Sequence, residues 1–170
     1  MAYGEDANEW LAKDAKVGDF VPAGGKIVEL ASGEGRNAVW LASQGYEVHG
    51  VDISSKGVDK ARAFADSKGV GEKTNFTVGD ATTFGDDDSY DAVVCVFAHM
   101  PPQLKGKLFK NIHRILKPQG VFIAQWYTPT HVAKKEAGGW GKGGPPVKAM
   151  CKIPCPANPG HLNLCPRLSV

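Results

Sequence analysis

The chain has 170 residues, of which 42% are hydrophobic and 22% charged, and its formal net charge is +2. These values are ordinary for one globular domain, and the length leaves little room for a second core. The absence of a basic run argues against a nucleic-acid partner, and the short apolar runs, all well under about 20 residues, argue against a membrane span.

The N-terminal segment MAYGEDANEWLAKDA is acidic and lacks the basic-then-apolar order of a secretory signal. A cytoplasmic location is therefore expected. Within this segment, residues 8–15 have the pattern of a short helix, and Asn8 is placed to cap its first turn.

From residue 26 onward, short apolar runs alternate with helical patterns. Strands are predicted at 26–30, 47–53, 75–78, 90–97 and 121–127, with helices at 36–43, 57–67 and 102–117. Ser55 is the expected cap of the second of these helices. This alternation predicts an α/β fold, a Rossmann-like doubly wound sheet of five parallel strands with helices on both faces.

Residues 138–170 differ from the rest of the chain because they are rich in glycine and proline and contain no acid. We expect this tail to be irregular or disordered, and we divide the chain into a domain at 1–137, with its core at 26–129, and the tail.

Cysteines also concentrate in the tail. Cys151, Cys155 and Cys165 could form a zinc site with His161, but their spacing is tighter than in common zinc modules, so no metal is expected. Cys95, inside an apolar run, is expected to act as a small hydrophobic residue.

The first predicted strand ends in a glycine-containing turn, ASGEGRNA, that opens a helix. Gly33, Gly35 and Ala38 satisfy the dinucleotide pattern G-x-G-x-x-G/A, and Asp52 ends the second strand, where it can bind ribose hydroxyls. The pattern alone permits a nicotinamide or flavin dinucleotide. It also permits a tight strand-to-helix connection with no ligand.

Two carboxylates beside this turn favour a cationic ligand. Glu29 ends the first strand and Glu34 lies in the turn, where both would repel a pyrophosphate. An ammonium group would be attracted to Glu29, and a ligand carboxylate could use the N–H groups of the turn. S-adenosylmethionine (SAM) has both groups, and Asp80 and Ala81, after the third strand, can bind the edge of its adenine.

Five motifs occur in order over residues 26–129: VELASGEGRNAVWLA, VDIS, GDAT, YDAVVCVFAHMPP and LKPQGVFIAQWYTP. Together they resemble the class I SAM-dependent methyltransferases. ASGEGRNAVWLA followed by FAHMPP resembles the small-molecule branch that includes tellurite-resistance and thiopurine methyltransferase-like proteins. The resemblance implies the strand order 3-2-1-4-5, SAM as the cofactor, and methyl transfer to a small acceptor such as a thiol or a metalloid oxyanion.

The resemblance also implies roles for residues near the carboxyl ends of the strands. Glu29 would hold the methionine ammonium, and Phe97 would line the methyl-donor pocket. Gly33 and Gly35 would let the backbone approach the ligand. Ala31 stands in this turn where the family usually has glycine.

The adenosine half of the ligand would be bound by four further residues. Asp52 would bind the ribose hydroxyls, and Ile53 would pack on adenine. Asp80 and Ala81 would contact the edge of the adenine ring.

No catalytic residue follows from the resemblance, because methyl transfer depends mainly on holding the acceptor about 3 Å from the methyl group in line with the C–S bond. His99 is the candidate base for an alcohol or amine acceptor, and a structural histidine is the other interpretation. Two alternatives to an active methyltransferase stay open: a SAM-binding variant that is inactive or regulatory, and an NAD(P)-binding oxidoreductase.

A full class I sheet continues after the fifth strand into a helix and an antiparallel strand pair. Residues 147–170 show neither pattern, so the C-terminus is predicted to be atypical. The fifth strand would then have an open apolar edge, which could seat a second copy of the chain.

Overall fold

A computed structural model describes residues 4–98, 100–126 and 147–152. Its strands are β1 (Lys26–Leu30), β2 (Glu47–Asp52), β3 (Thr74–Val78), β4 (Tyr90–Val96), β5 (Leu116–Trp126) and β6 (Val147–Lys152). Its α-helices are α1 (Glu9–Lys13), α2 (Arg36–Ser43), α3 (Ser55–Ser67) and α4 (Pro102–Ile115), and short 3-10 turns lie at Val17–Asp19 and Gly71–Lys73.

The strands form one sheet in the order β3-β2-β1-β4-β5-β6. The first five strands are parallel, so the predicted Rossmann-like fold and the order 3-2-1-4-5 are confirmed. Each parallel connection of this kind needs a crossover segment, which α2, α3 and α4 supply in three of the four cases.

The prediction of an open edge on the fifth strand was wrong. β6 pairs antiparallel with β5, in a register that runs from Val121 opposite Lys152 to Trp126 opposite Val147. The tail was also expected to be irregular, and this expectation is wrong for the six residues of β6. The expectation was based on the glycine and proline content of the whole tail, whereas these six residues contain neither. Self-association through that edge loses its basis, because β6 already uses the hydrogen-bonding groups of β5.

Both faces of the sheet are buried, as expected for a parallel sheet with helices on both sides. Ile27, Val48 and Val94 pack on one face with residues of α1, α2 and α3. Val28 and Cys95 pack on the other face with residues of α4. Successive residues of a strand point to opposite faces, so Glu29 lies on the same face as Ile27.

The observed N-caps of α1 and α3 can be compared with the predicted ones. Asn8 Oδ1 accepts a hydrogen bond from the Leu11 N–H at 3.0 Å, which confirms the predicted cap of α1. For α3 the cap is Ser54, whose Oγ accepts from the Gly57 N–H at 3.1 Å, one residue before the predicted Ser55. Within residues 4–98 and 100–126, no helix has the length and apolar character needed to cross a membrane.

Candidate functional site

The carboxyl ends of β1, β2 and β3 meet at one edge of the sheet. The Ser32 N–H donates to the Val51 carbonyl at 3.0 Å, and the Gly33 N–H donates to Asp52 Oδ2 at 2.7 Å, so the turn after β1 is fixed against β2. The Gly79 N–H donates to the Asp52 carbonyl at 3.0 Å, which fixes the end of β3 in the same way. In open α/β sheets this edge is where ligands bind.

A cleft of about 370 Å³ opens beside the turn after β1. Four of the predicted site residues line it, namely Glu29, Ala31, Gly33 and Phe97. Its other lining residues are Gly4, Ser32, Glu34, Arg36, Asn37, Ser54, Lys56, Gly57, Lys60 and Val96. The other predicted site residues lie at the same edge of the sheet but do not line this cleft. They are Gly35, Asp52, Ile53, Asp80 and Ala81.

Glu29 is a buried acid in the wall of the cleft, with only 1% of its surface exposed. Asn37 Nδ2 donates to its Oε1 at 2.8 Å, and the N–H of Ala38, in the first turn of α2, also stabilises the carboxylate. Its Oε2 has no hydrogen-bond partner among the described residues. Burial outweighs these hydrogen bonds and raises the pKa of Glu29 from 4.5 to about 7.

Asn37 connects this acid to the N-terminal helix, a contact that the sequence analysis missed. Its Oδ1 accepts from the Asn8 N–H at 2.8 Å while its amide group donates to Glu29. Asn37 is itself buried, so both ends of its side chain are fixed by partners more than seven residues away in sequence. The only sequence signal for this role was an asparagine in the first turn of the helix that follows the glycine turn.

Three N–H groups of the turn donate to acceptors within the protein. The amides of Ser32, Gly33 and Gly35 donate to Val51, Asp52 and Ser32 respectively. A ligand carboxylate would therefore need donors other than these three N–H groups. Cationic side chains of α2 and α3 line the cleft instead.

These cationic side chains reduce the negative charge that was expected beside the turn. Lys60 Nζ lies 2.6 Å from Glu34 Oε1, so the acid inside the turn is compensated. The predicted repulsion of a pyrophosphate by Glu34 is therefore weakened, and the preference for a cationic ligand rests on Glu29. Arg36 and Lys56 add positive charge to the same cleft.

Ala31 has φ +60°, in the left-handed region that favours glycine. A residue with a Cβ costs about 1–2 kcal/mol there, which explains why the family usually has glycine at this position. We expect Ala31→Gly to raise the free energy of unfolding by about 0.5–1 kcal/mol, because the gain exceeds the extra entropy of an unfolded glycine. Urea unfolding at pH 7 measures this, and unchanged or reduced stability would contradict it.

The carboxylates of Asp52 and Asp80 each accept a hydrogen bond from the backbone N–H two residues later in the chain. Asp52 Oδ1 accepts from the Ser54 N–H at 2.9 Å, in addition to the bond from Gly33 to Oδ2. Asp80 Oδ1 accepts from the Thr82 N–H at 2.8 Å, which lowers the pKa of Asp80. Each carboxylate oxygen has a second lone pair for a ligand hydroxyl or amine. Ile53, which follows Asp52 in the sequence, is 82% exposed.

Among the described residues, Cys95 is a further candidate group, and it does not line the cleft. Cys95 is buried and its pKa is raised to about 12, chiefly by burial, so it has no thiolate character and packs as the small hydrophobic residue predicted. Among the described residues there is no group of three or more histidine, cysteine or acidic side chains that could hold a metal. His99, Cys155, His161 and Cys165 lie outside the described residues.

The chain is similar in sequence and in structure to known proteins. The chain is 30% identical over 135 residues to a sterol 24-C-methyltransferase of Gibberella zeae. These residues make up 74% of this chain and 35% of that protein. The PH0226 protein of Pyrococcus horikoshii is 32% identical, with a TM-score of 0.62 over 71% of this chain and 54% of that one. A SAM-dependent methyltransferase of Methanosarcina mazei is 25% identical, with a TM-score of 0.64 over 72% and 61% of the two chains.

The chain spans about half or less of the length of the curated relatives it matches. Residues 29–97 hold all of the lining of the cleft except Gly4. Within it, Glu29 Oε2 and Ser32 Oγ are buried polar atoms that lack partners among the described residues, and both residues line the cleft. A carboxylate oxygen and a hydroxyl placed in this way fit a ligand that carries an ammonium group, as SAM does. A family model described as "Methyltransferase domain" matches residues 27–120, and the chain therefore belongs to this methyltransferase family, whose cofactor is SAM.

Proposed function

We propose that the protein transfers a methyl group from SAM to a small acceptor, such as a thiol or a metalloid oxyanion. The observation that carries the proposal is the buried carboxyl group of Glu29, which lines the cleft and leaves one oxygen unpartnered. A buried acid without a compensating charge is costly, so its position is best explained by a ligand that supplies the charge.

In this proposal the ends of the cleft bind opposite charges of the methionine group. Glu29 accepts hydrogen bonds from the ammonium, and Asn37 orients the carboxylate for it through the 2.8 Å bond to Oε1. Arg36 and Lys56 supply the positive charge that faces the ligand carboxylate, because the amides of Ser32, Gly33 and Gly35 already donate within the protein. Phe97 forms the wall next to the methyl donor.

The adenosine group would extend from the cleft along the edge of the sheet toward β3. Asp52 accepts from the ribose hydroxyls, and the exposed side chain of Ile53 packs on the adenine ring. Asp80 accepts from the exocyclic amine and the Ala81 N–H donates to a ring nitrogen. The SAM-binding unit would comprise residues 1–137 together with β6.

When bound, SAM supplies a methyl group made electrophilic by its sulfonium. The protein's contribution is then to align an acceptor with that methyl group, which is worth several orders of magnitude in rate without a catalytic base. Thiolates and metalloid oxyanions need no deprotonation. The motif FAHMPP after β4 supports the branch of tellurite-resistance and thiopurine methyltransferase-like proteins.

Calorimetric titration with SAM, S-adenosylhomocysteine and NADH tests the cofactor assignment. We expect the two sulfur nucleosides to bind with dissociation constants on the order of 1–100 μM and NADH not to bind. A folded sample that binds neither sulfur nucleoside, or that binds NADH more tightly, contradicts the proposal.

Incubation with SAM and a panel of thiol, metalloid, amine and alcohol acceptors then tests catalysis. Methylated product from a thiol or metalloid is the expected result. Binding of SAM without any turnover would assign the chain to the inactive or regulatory alternative.

A further inference from the structure

The turn at residues 79–85, which we call the adenine turn, is held by two side chains of α4. Asn111 is buried, and its Nδ2 donates to the carbonyl oxygens of Ala81 at 2.9 Å and Phe84 at 3.0 Å. Its Oδ1 accepts from Arg114 Nη2 at 2.7 Å. A single asparagine thus uses both donor hydrogens and its acceptor in fixed contacts.

Arg114 completes the contact between α4 and this turn. Its Nη2 also lies within hydrogen-bond distance of the carbonyl oxygens of Gly85 at 2.7 Å, Thr83 at 3.2 Å and Phe84 at 3.3 Å. Its Nη1 pairs with Asp87 Oδ1 at 2.6 Å. Side chains of the same helix therefore contact four carbonyl oxygens of one short segment, those of Ala81, Thr83, Phe84 and Gly85, and these contacts fix the turn against α4.

One peptide group connects Asn111 to Asp80. The carbonyl that Asn111 binds belongs to the peptide between Ala81 and Thr82, and the N–H of that same peptide donates to Asp80 Oδ1 at 2.8 Å. Because a peptide group is planar, fixing its oxygen also fixes the direction of its N–H. The position of the Asp80 carboxylate therefore depends on the amide of Asn111, although the two side chains do not touch.

We propose that Asn111 is a positioning residue for adenine recognition, which aims the Asp80 carboxylate through the Ala81–Thr82 peptide and anchors Ala81, the residue whose N–H would make the second adenine contact. Arg114 supports it by fixing the orientation of its amide. The inference rests on the proposed function, because it requires adenine to bind at this turn.

Comparison of S-adenosylhomocysteine with its hypoxanthine analogue, S-inosylhomocysteine, tests the role. The analogue replaces the exocyclic amine by an oxygen and carries a hydrogen on the ring nitrogen, so it cannot satisfy Asp80 or the Ala81 N–H. We expect the wild-type protein to prefer the adenine form by about 10- to 100-fold. Asn111→Asp keeps the size of the side chain but cannot donate, and its preference should fall to about threefold or less.

Ile112→Val is the matched control, since it removes one buried methyl group from the same helix and none of the hydrogen bonds to the turn. Its preference for the adenine form should equal that of the wild type, even where its melting temperature is lower. A folded Asn111→Asp protein that keeps the wild-type preference overturns the inference. If that variant does not fold, Arg114→Lys decides: a preference reduced by threefold or more supports the role, and an unchanged one overturns it. A wild-type protein that binds neither compound refutes the proposed function instead.

Discussion

Replacing Glu29 with glutamine is expected to stabilise the unliganded protein at pH 8 by about 2–3 kcal/mol. The reason is the pKa of Glu29, which burial raises from 4.5 to about 7. A shift of one pKa unit corresponds to 1.36 kcal/mol, so ionisation of Glu29 lowers the free energy of unfolding by about 3 kcal/mol. Glutamine has nearly the same shape, keeps an oxygen that can accept from Asn37, and carries no charge.

The same difference predicts how stability depends on pH. Between pH 4.5 and about 7 the folded protein binds a proton that the unfolded chain has released, so this group makes wild-type stability fall as the pH rises through that range. Below pH 4.5 the effect is absent, and above pH 7 it is complete. Urea unfolding of both proteins at pH 5 and pH 8 measures it: the advantage of Glu29→Gln should be small at pH 5 and large at pH 8, and an equal difference at both would contradict the explanation.

Glu29→Gln should weaken SAM binding even as it stabilises the fold. A hydrogen bond to a charged group contributes about 1.5–3 kcal/mol, so the affinity should fall by about 10- to 150-fold. Wild-type affinity should also decline as the pH falls below 7, because protonation of Glu29 removes the charge that the ammonium needs. Glu34→Gln is the control, since that acid is paired with the exposed Lys60, and its loss should change affinity by less than about fivefold.

Gly35→Ala is expected to cost about 3–5 kcal/mol in the free energy of unfolding. Gly35 has φ +82°, and a Cβ at this position would lie 2.7 Å from the Ala61 Cβ and 3.0 Å from Phe76 Cζ. The left-handed backbone contributes about 1–2 kcal/mol, and the collision with α3 and β3 supplies the rest. The glycine is thus required where α2 begins against α3, in addition to any role beside a ligand.

Gly33→Ala separates the two contributions. Gly33 has φ +57°, but nothing lies within 4 Å of a Cβ built there. It should therefore lose only about 1–2 kcal/mol, from the backbone alone. Urea unfolding of both variants checks the difference, and equal losses would mean that close packing at Gly35 is not what requires the glycine.

The fold could be predicted because its information is local. Each buried strand is a short apolar run, and each helix has its own period and boundary signals, so the alternation alone indicates a parallel sheet. The edge that holds the site follows from the same pattern, since Glu29, Asp52 and Asp80 each stand at or just after the end of a strand.

What could not be predicted depends on contacts between distant segments. Asn37 is an unremarkable helix residue until Asn8 and Glu29 are placed on either side of it. The pairing of Lys60 with Glu34, which weakens part of the charge argument, joins residues 26 apart in sequence. β6 was missed for a different reason, because composition averaged over a long segment conceals a strand of six residues.

The bond between Asn8 and Asn37 ties the short helix α1 to the acid in the cleft. A five-residue helix has little stability of its own, so α1 keeps its place chiefly through tertiary contacts such as this bond and the burial of Leu11. Two hydrogen bonds therefore connect α1 to the cleft through one side chain, that of Asn37, so a substitution that removes either bond is expected to weaken the contact between the N-terminal helix and the acid.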